Sequence, residues 1–427
     1  MQQDHKFPWL AVVSFPQVQG AAEARQYIGN GRDILLEGFH WESHQGARDS
    51  ATGERKSWYR IIEENAPAIK AAGFTWVWFP PPSDSLAPQG YIPRRWNKLD
   101  TAYGSEAELR SALHALEPVR ALADVVINHR VGIHTSGADF DDPPFPDNRA
   151  AIARDDSSGV GTGHPDSGEH HAAGRDLDHH KPDVRNAIKN YLRKLKSVGF
   201  QGWRYDLTKG YAGQFIAEYN DATTPAFSVG EFYDGDRQKV TSWIDATGGK
   251  TTAFDFPTRY LLYESCLSDD YGRLCSFHEG RTVPGGLLGY WPSRSVTFLD
   301  NHDTEYRRDH EHSCHNDGTR HFPGETVAMG YAYILTHPGT PCVFWPHFFD
   351  WDRPTRQSIE RLLHLRKHCG LHSRGHVDIK EASRGLYAAI IDGKVAMKLG
   401  RRGWSPGGGW HLAIDGDRFA VWLRVHQ

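Results

Sequence analysis

Four short stretches of this chain concentrate the side chains able to do acid–base chemistry. They are Asp124-Val-Val-Ile-Asn128-His129, Gly202-Trp-Arg204-Tyr-Asp206, Gly230-Glu231 and Asp300-Asn-His302-Asp303. Each closes a run of apolar or β-branched residues that reads as a strand. Arg204 precedes Asp206 by two residues, so both side chains leave a strand on the same face. A cation beside Asp206 favours a negative charge there, which suits a nucleophile. Glu231 follows an apolar strand, where partial desolvation favours the protonated carboxyl that a general acid needs. Asp206 and Glu231 close consecutive strands, and neighbouring strands lie ~4.8 Å apart. Retaining glycosidases hold their two carboxyl groups ~5–5.5 Å apart and inverting ones ~6.5–9.5 Å. The spacing therefore favours double displacement through a covalent intermediate. Taken singly, each residue also has a plainer reading, as a structural Arg–Asp pair or an unrelated buried Glu. Four such motifs, all at strand ends, count against it.

The elements that must position these groups alternate between short apolar runs and amphipathic ones. Candidate strands are Ile34–Leu36, Thr75–Phe79, Ala121–Val126, Gly202–Tyr205, Phe227–Val229, Thr252–Phe254, Val296–Leu299 and Pro341–Phe344. Helical periodicity runs through Ile61–Ala72, Glu106–Leu116, Val184–Val198, Gln214–Asn220, Thr326–Thr336 and Ser358–His368. Such alternation implies a parallel sheet, and eight strands suit a closed (β/α)8 TIM barrel. In that fold functional groups gather at the C-terminal ends of the strands, where the four motifs fall. The connection after the third strand is unusually long, and its first part is rich in Gly, Asp, Pro and His. A connection of this length usually has a role, and we read residues 129–175 as a small inserted domain over the barrel mouth. Residues 1–128 and 176–370 then form the barrel. Beyond about Gly370, the runs Leu386–Ile391, Lys394–Leu399, Trp410–Ala413 and Arg418–Leu423 read as a C-terminal antiparallel β-sheet spanning 371–427.

Composition narrows the function classes. A chain of 427 residues, 39 % hydrophobic, can bury a large core. With a formal net charge of −4 and no basic stripe, nucleic acid is not the expected partner. No apolar run approaches a membrane span. The first residues, Met1 to Lys6, lack the shape of a secretory signal, and the compartment stays open between secreted and intracellular. The five cysteines, Cys266, Cys275, Cys314, Cys342 and Cys369, are odd in number and contain no CxxC, so free thiols are expected. The 14 Trp supply flat faces suited to sugar rings, although a large core explains them equally well.

The four motifs resemble the signature regions of the α-amylase family, glycoside hydrolase family thirteen. Further stretches are similar to the plant-type members: Gly38-Phe-His40-Trp41-Glu-Ser43, Trp78-Phe-Pro-Pro-Pro82, Pro88-Gln-Gly90-Tyr91-Ile-Pro93, Phe254-Asp-Phe256-Pro257, Tyr331-Ala-Tyr-Ile-Leu-Thr-His-Pro338 and Phe348-Phe-Asp-Trp351. The resemblance runs from about residue 30 through the terminal sheet. It implies endo-hydrolysis of α-1,4 bonds in starch, glycogen or maltodextrins by a monomer. Asp206 would be the nucleophile, Glu231 the acid/base and Asp303 the stabiliser of the oxocarbenium-like transition state. Arg204 would orient Asp206, with Asp124 behind it. His129, His302 and Tyr91 would contact the sugar at the cleavage point, and Trp41, Lys209 and Trp291 would be further substrate contacts.

The resemblance also implies a structural Ca2+, held by Asn128, Asp176 and the carbonyl of Gly210. The expected Asp is missing from Ser167-Gly-Glu169-His-His-Ala-Ala, where Glu169 is the substitute expected here. Without the resemblance, Asp176-Leu-Asp178-His179-His180 would read as a solvated helix start. A second departure is Glu305-Tyr306-Arg307-Arg308 after the seventh strand, followed by His310, His312, Cys314, His315 and His321. His and Cys suit zinc, but the spacing matches no structural zinc site, and an exposed loop is the stronger reading. The rivals to hydrolysis are a transglycosylase or sugar phosphorylase of the same superfamily, which share the core residues. A non-catalytic glucan-binding scaffold would have lost a catalytic carboxylate, and all three are present.

Overall fold

The structure, a computed structural model, describes residues 26–48, 53–134, 137–172, 174–305 and 321–425. Eight strands close a barrel: β1 (Leu35–Glu37), β2 (Trp76–Phe79), β3 (Arg120–Val125), β4 (Gly202–Tyr205), β5 (Phe227–Gly230), β6 (Thr252–Phe254), β7 (Ser295–Thr297) and β8 (Thr340–Phe344). Each strand lies beside its predecessor in the chain, as expected of parallel strands joined by helical crossovers. The expected strands are all present, with ends displaced by at most two residues. Contacts divide the chain into two compact units, one built on Leu35–Phe254 and the other on Asp255–Gln427 with Asn30–Ile34.

In the first unit the strands are buried on both faces, so they read as continuous apolar runs such as the Trp-Val-Trp-Phe of β2. Crossover helices begin where sequence chemistry starts them. Ser57 accepts the Arg60 N–H ahead of α1 (Trp58–Ala72), and Gly73 ends that helix at φ 91°. Ser105 and Glu108 form a reciprocal capping box on α2 (Glu106–Leu116). The next helices are α3 (Pro182–Val198), α4 (Gly213–Thr223) and α5 (Arg237–Ala246). The apolar face of α5 is short, Val240, Thr241, Trp243 and Ile244, and this helix was not among the expected ones.

Parallel register places the chemistry. Arg204 on β4 pairs with Asp124 on β3, and Tyr205 pairs with Gly230 on β5. The residues just past those strands, Asp206 and Glu231, are thereby side by side. The long connection after β3 is gripped at its stem by a two-residue antiparallel pairing, His129 with Asp176 and Arg130 with Arg175. Buried Arg130 donates to the carbonyls of Arg94 and Pro143, and its guanidinium lies 4.9 Å from the rings of both Trp96 and Phe140. Asp176 is buried in that stem and α3 begins only at Pro182, so the solvated helix start at 176–180 is not found.

In the second unit, α6 (Phe256–Ser268) and α7 (Gly286–Tyr290) precede β7, and α8 (Val327–Thr336) and α9 (Arg353–His368) flank β8. The helix α8 is buried almost all round, as its uniformly apolar sequence requires. A five-stranded antiparallel sheet follows: β9 (Val377–Ser383), β10 (Leu386–Ile391), β11 (Val395–Leu399), β12 (Trp410–Gly416) and β13 (Phe419–Arg424), in the spatial order β9-β10-β11-β13-β12. Sequence reading found four of these. The polar edge strand β9, broken by a bulge between Ile379 and Glu381, lacks the alternation that reveals the others.

Candidate active site

Arg204 is the hub of the first unit's strand ends. Its side chain is fully buried, and its Nη1 donates to Asp124 Oδ1 at 2.9 Å, Asp124 Oδ2 at 3.1 Å and Asp206 Oδ1 at 2.6 Å. Nη2 lies 2.8 Å from Glu231 Oε1, an ion pair whose angles fall outside a hydrogen bond. Burial works against the charge of this guanidinium, but Asp124, Glu231 and Asp206 outweigh it and hold the group protonated well above its ordinary range. Asp206 and Glu231 each retain a small exposed fraction, so both face the space above the strand tips.

The remaining contacts fix the two outer carboxylates. Asp206 N–H donates to the Val125 carbonyl and Glu231 N–H to the Tyr205 carbonyl, which carries the sheet ladder one residue past each strand. Leu207 adopts a left-handed conformation, φ 43° and ψ 54°, and its N–H donates to Glu231 Oε2 at 3.1 Å. For a branched side chain that conformation costs on the order of 1–3 kcal/mol, and such strain clusters at functional sites. Nothing in the sequence announced Leu207.

Asp124 is braced from behind. The Trp78 indole N–H donates to its Oδ2 at 3.1 Å and the Tyr91 hydroxyl at 2.9 Å. Burial pushes the Asp124 carboxyl up to about 7, against the pull of Arg204. Tyr91 stands parallel to Trp41, 2° between planes and 6.1 Å between centroids. His129 is buried, which lowers its proton affinity, and as a neutral ring it donates from Nε2 to the Tyr91 carbonyl at 2.8 Å. Its ring lies 4.7 Å from that of His171, a neighbour the sequence reading had not singled out.

The second unit presents its own strand end after β7. Buried Asp300 accepts from Arg259 Nη2 at 2.9 Å, from the Phe322 N–H at 2.9 Å and from the Thr304 hydroxyl at 3.1 Å. Asn301 Oδ1 accepts the N–H groups of Asp303 and Thr304, both at 3.0 Å. This turn holds the partly exposed Asp303 with its Oδ2 3.3 Å from Nε2 of buried His302.

A second cluster sits at the stem of the long connection. Ligand atoms of Asp166, His170 and Asp176 lie within 4.8 Å of one another. The Asn128 amide donates to Asp176 Oδ1 at 3.3 Å, while its buried Oδ1 has no hydrogen-bond partner among the described residues. A Cβ on Gly210 would come within 2.0 Å of that Oδ1, so glycine keeps the approach open. Burial, with the Asp166 carboxylate next, pushes Asp176 up to about 7. Crowded carboxylates and an orphaned amide oxygen form a donor set that a divalent cation satisfies. Glu169 is not part of it. Its side chain is 71 % exposed and lies 3.9 Å from Lys209 Nζ, because the backbone N–H of Glu169 is tied to the Lys209 carbonyl at 2.7 Å. Asp166 and His170 stand in the place expected of it.

Two further expected contacts are Lys209, just past β4, and Trp291. Lys209 is engaged by Asp234 at 2.9 Å, with its Nζ 5.4 Å from the Phe232 ring. Trp291 precedes β7, at the strand's N-terminal end, under the Arg294 guanidinium at 5.2 Å. The catalytic rim lies at the C-terminal ends of barrel strands, so Trp291 does not belong to it. Of the His-rich stretch, His310, His312, Cys314 and His315 lie outside the described residues. Cys266, Cys275, Cys342 and Cys369 are free thiols.

A closed parallel barrel with acidic side chains at the strand ends defines a β/α-barrel enzyme of the glycosidase type. A family profile described as the alpha-amylase C-terminal beta-sheet domain matches residues 368–423. Probable alpha-amylase 2 of Arabidopsis thaliana is 39 % identical, over 96 % of this chain and 98 % of that protein. Alpha-amylase 3, chloroplastic, of the same plant is 37 % identical over 92 % of this chain and 44 % of that one. An alpha-amylase from Malbranchea cinnamomea shares the fold, with a TM-score of 0.67 at 18 % identity over 92 % of this chain and 96 % of that one. The chain belongs to the α-amylase family of glycoside hydrolases.

Proposed function

We propose that this α-amylase cleaves internal α-1,4-glucosidic bonds of starch, glycogen and maltodextrins by double displacement. Asp206 attacks the anomeric carbon while Glu231 gives its proton to the departing glycosidic oxygen. The bond to the leaving sugar breaks as the Asp206–carbon ester forms. Glu231, now a carboxylate, takes a proton from water, whose oxygen displaces Asp206 and restores the α configuration. Asp303 offers negative charge to the oxocarbenium-like transition state, and His302 holds its carboxylate. His129, Tyr91 and Trp41 line the sugar position, with Lys209 further along the chain of contacts. One chain carries all of these groups, so a monomer suffices.

The observation that carries this reading is the shared guanidinium. Asp206 and Glu231 sit on the two terminal nitrogens of Arg204, so one cation holds both carboxylates together, as double displacement by a nucleophile and an acid requires. Three carboxylates around one cation leave an excess of negative charge, so the cluster favours taking up a proton. Asn128, Asp166, Asp176 and the Gly210 carbonyl would hold the structural Ca2+. The ion would neutralise the crowded carboxylates and pin the stem of the insertion.

Proton NMR of maltoheptaose cleavage tests the reading. Products should appear first as the α anomer and mutarotate afterwards, with no sugar phosphate when phosphate is added. An initial β anomer contradicts retention, and glucosyl phosphate would reassign the acceptor.

A further inference from the structure

We infer that Trp351 is a platform for a glucosyl ring of the bound chain, contributed by the second unit and aimed by His347. The inference rests on the glucan reading given above and adds a residue to it. Trp351 is the most exposed tryptophan among the described residues, at 39 %. A single exposed apolar side chain needs no explanation by itself. What distinguishes this one is where it stands and how firmly it is held. The place is the C-terminal face of the barrel, where active sites sit in this fold. β8 ends at Phe344, and a single π-helical turn, Pro346–Asp350, follows it. Such turns are rare and recur at functional sites.

The Trp351 N–H closes that turn on the Pro346 carbonyl at 2.9 Å. The Arg356 guanidinium lies 4.9 Å from the Phe348 ring and 5.3 Å from that of Phe349, and Asp352 caps α9 by accepting the Thr355 N–H at 2.8 Å. The backbone is thus fixed on both sides of Trp351. Its ring is fixed as well, by a T-shaped contact with buried His347 at 4.4 Å between centroids. His347 Nδ1 accepts from the Tyr331 hydroxyl at 2.8 Å, so the ring's own proton sits on Nε2, 3.6 Å from Asp300 Oδ2. Asp300 in turn accepts the Thr304 hydroxyl at 3.1 Å, in the turn that carries Asp303. One run of contacts therefore joins the exposed indole to the second unit's catalytic strand end. An indole face offers apolar contact to the C–H face of a sugar ring and carries no charge, which suits a neutral polysaccharide. Contact with a sugar remote from the reacting bond is the same in the ground and transition states. It lowers KM and leaves kcat alone, and it favours the registers of a short chain that reach it.

The test compares the full-length parent with Trp351→Ala, Trp351→Tyr and His347→Gln on maltotriose through maltoheptaose labelled at the reducing end. Initial rates give kcat and KM, chromatography of the labelled products gives the bond that is cut, and melting temperatures report folding. We expect Trp351→Ala to raise KM for maltoheptaose about tenfold, the loss of one aromatic contact, with kcat within about twofold of the parent. Its cleavage should move to other bonds of the chain. Trp351→Tyr keeps a flat face and should keep the parental bond choice. His347→Gln should move the cleavage as Trp351→Ala does, because the indole loses the ring that orients it. A lower melting temperature with parental bond choice in His347→Gln would overturn the aiming role. Parental KM and bond choice in Trp351→Ala overturn the platform. A parent that cleaves none of these chains would instead refute the glucan reading beneath it.

Discussion

Arg204 places one positive charge among Asp124, Asp206 and Glu231, with no water-facing surface of its own. Removing one partner from a buried ion network leaves the others uncompensated, at a cost of about 3–5 kcal/mol. Arg204→Gln should therefore lower both the melting temperature and kcat. Arg204→Lys separates the two effects. An ammonium keeps the charge but not the fork that serves Asp206 from one nitrogen and Glu231 from the other. We expect Arg204→Lys to lose only a little stability while kcat falls about 10²–10³-fold with KM nearly unchanged, the pattern of a contact needed in the transition state. A lysine variant with parental kcat would show that the geometry of the fork is irrelevant.

The elements aim these side chains through register, and the register is held by packing beneath the rim. Behind the end of β3, the ring of His179 donates from Nε2 to the Ile127 carbonyl at 3.1 Å, so that nitrogen carries the proton. Its Nδ1 faces the Tyr219 hydroxyl at 2.6 Å, and its face stacks on Tyr211 at 4.5 Å. Burial lowers the His179 pKa to about 4. In the unfolded chain the same ring titrates near 6.5. Between those values the unfolded state binds the proton and the folded state does not, so stability rises with pH through the window and is lost as pH falls from 6.5 toward 4. His347, lowered to about 4, and His337, lowered to about 3, act in the same direction. His179→Gln should flatten the slope of unfolding free energy against pH by up to about 1.4 kcal/mol per pH unit in that window. Urea unfolding at several pH values between 4.5 and 6.5 measures it, and an unchanged slope contradicts the assignment.

The barrel was legible at this scale because parallel strands are apolar along their whole length and their crossover helices have one apolar face. Elements without such a pattern were not. The helix α5 buries only a short face, Val240, Thr241, Trp243 and Ile244, and the alternation of the edge strand β9 stops at its bulge after Ile379. The same contrast runs through the site. Asp206, Glu231 and Arg204 were readable because strand ends and a two-residue spacing have a fixed geometry. In the cation site Asn128, Asp176 and Gly210 were named through the resemblance, but Asp166 and His170 were not, because residues in an irregular loop follow the backbone path, and there the Glu169 N–H is tied to Lys209 while Asp166 and His170 lie beside Asp176.

At the scale of the molecule, each unit builds its part of the fold around its own core. In the second, the terminal sheet shares that core with the helices before it: Tyr387 on β10 meets His337 Nε2 at 2.8 Å, and Arg361 on α9 donates to the Ala413 carbonyl at 2.8 Å. No helix of the described residues is long and apolar enough to cross a membrane. The central claim for the whole is that this scaffold makes Asp206 a covalent catalyst and Glu231 the group that frees it. Reaction of Glu231→Gln with α-maltotriosyl fluoride tests it most directly. Fluoride leaves without a proton, so the first step proceeds, whereas the second lacks its base and stalls. Peptide mapping by mass spectrometry should find a maltotriosyl ester on Asp206. No adduct, under conditions in which the parent turns the fluoride over, or an adduct on another residue, would contradict the account.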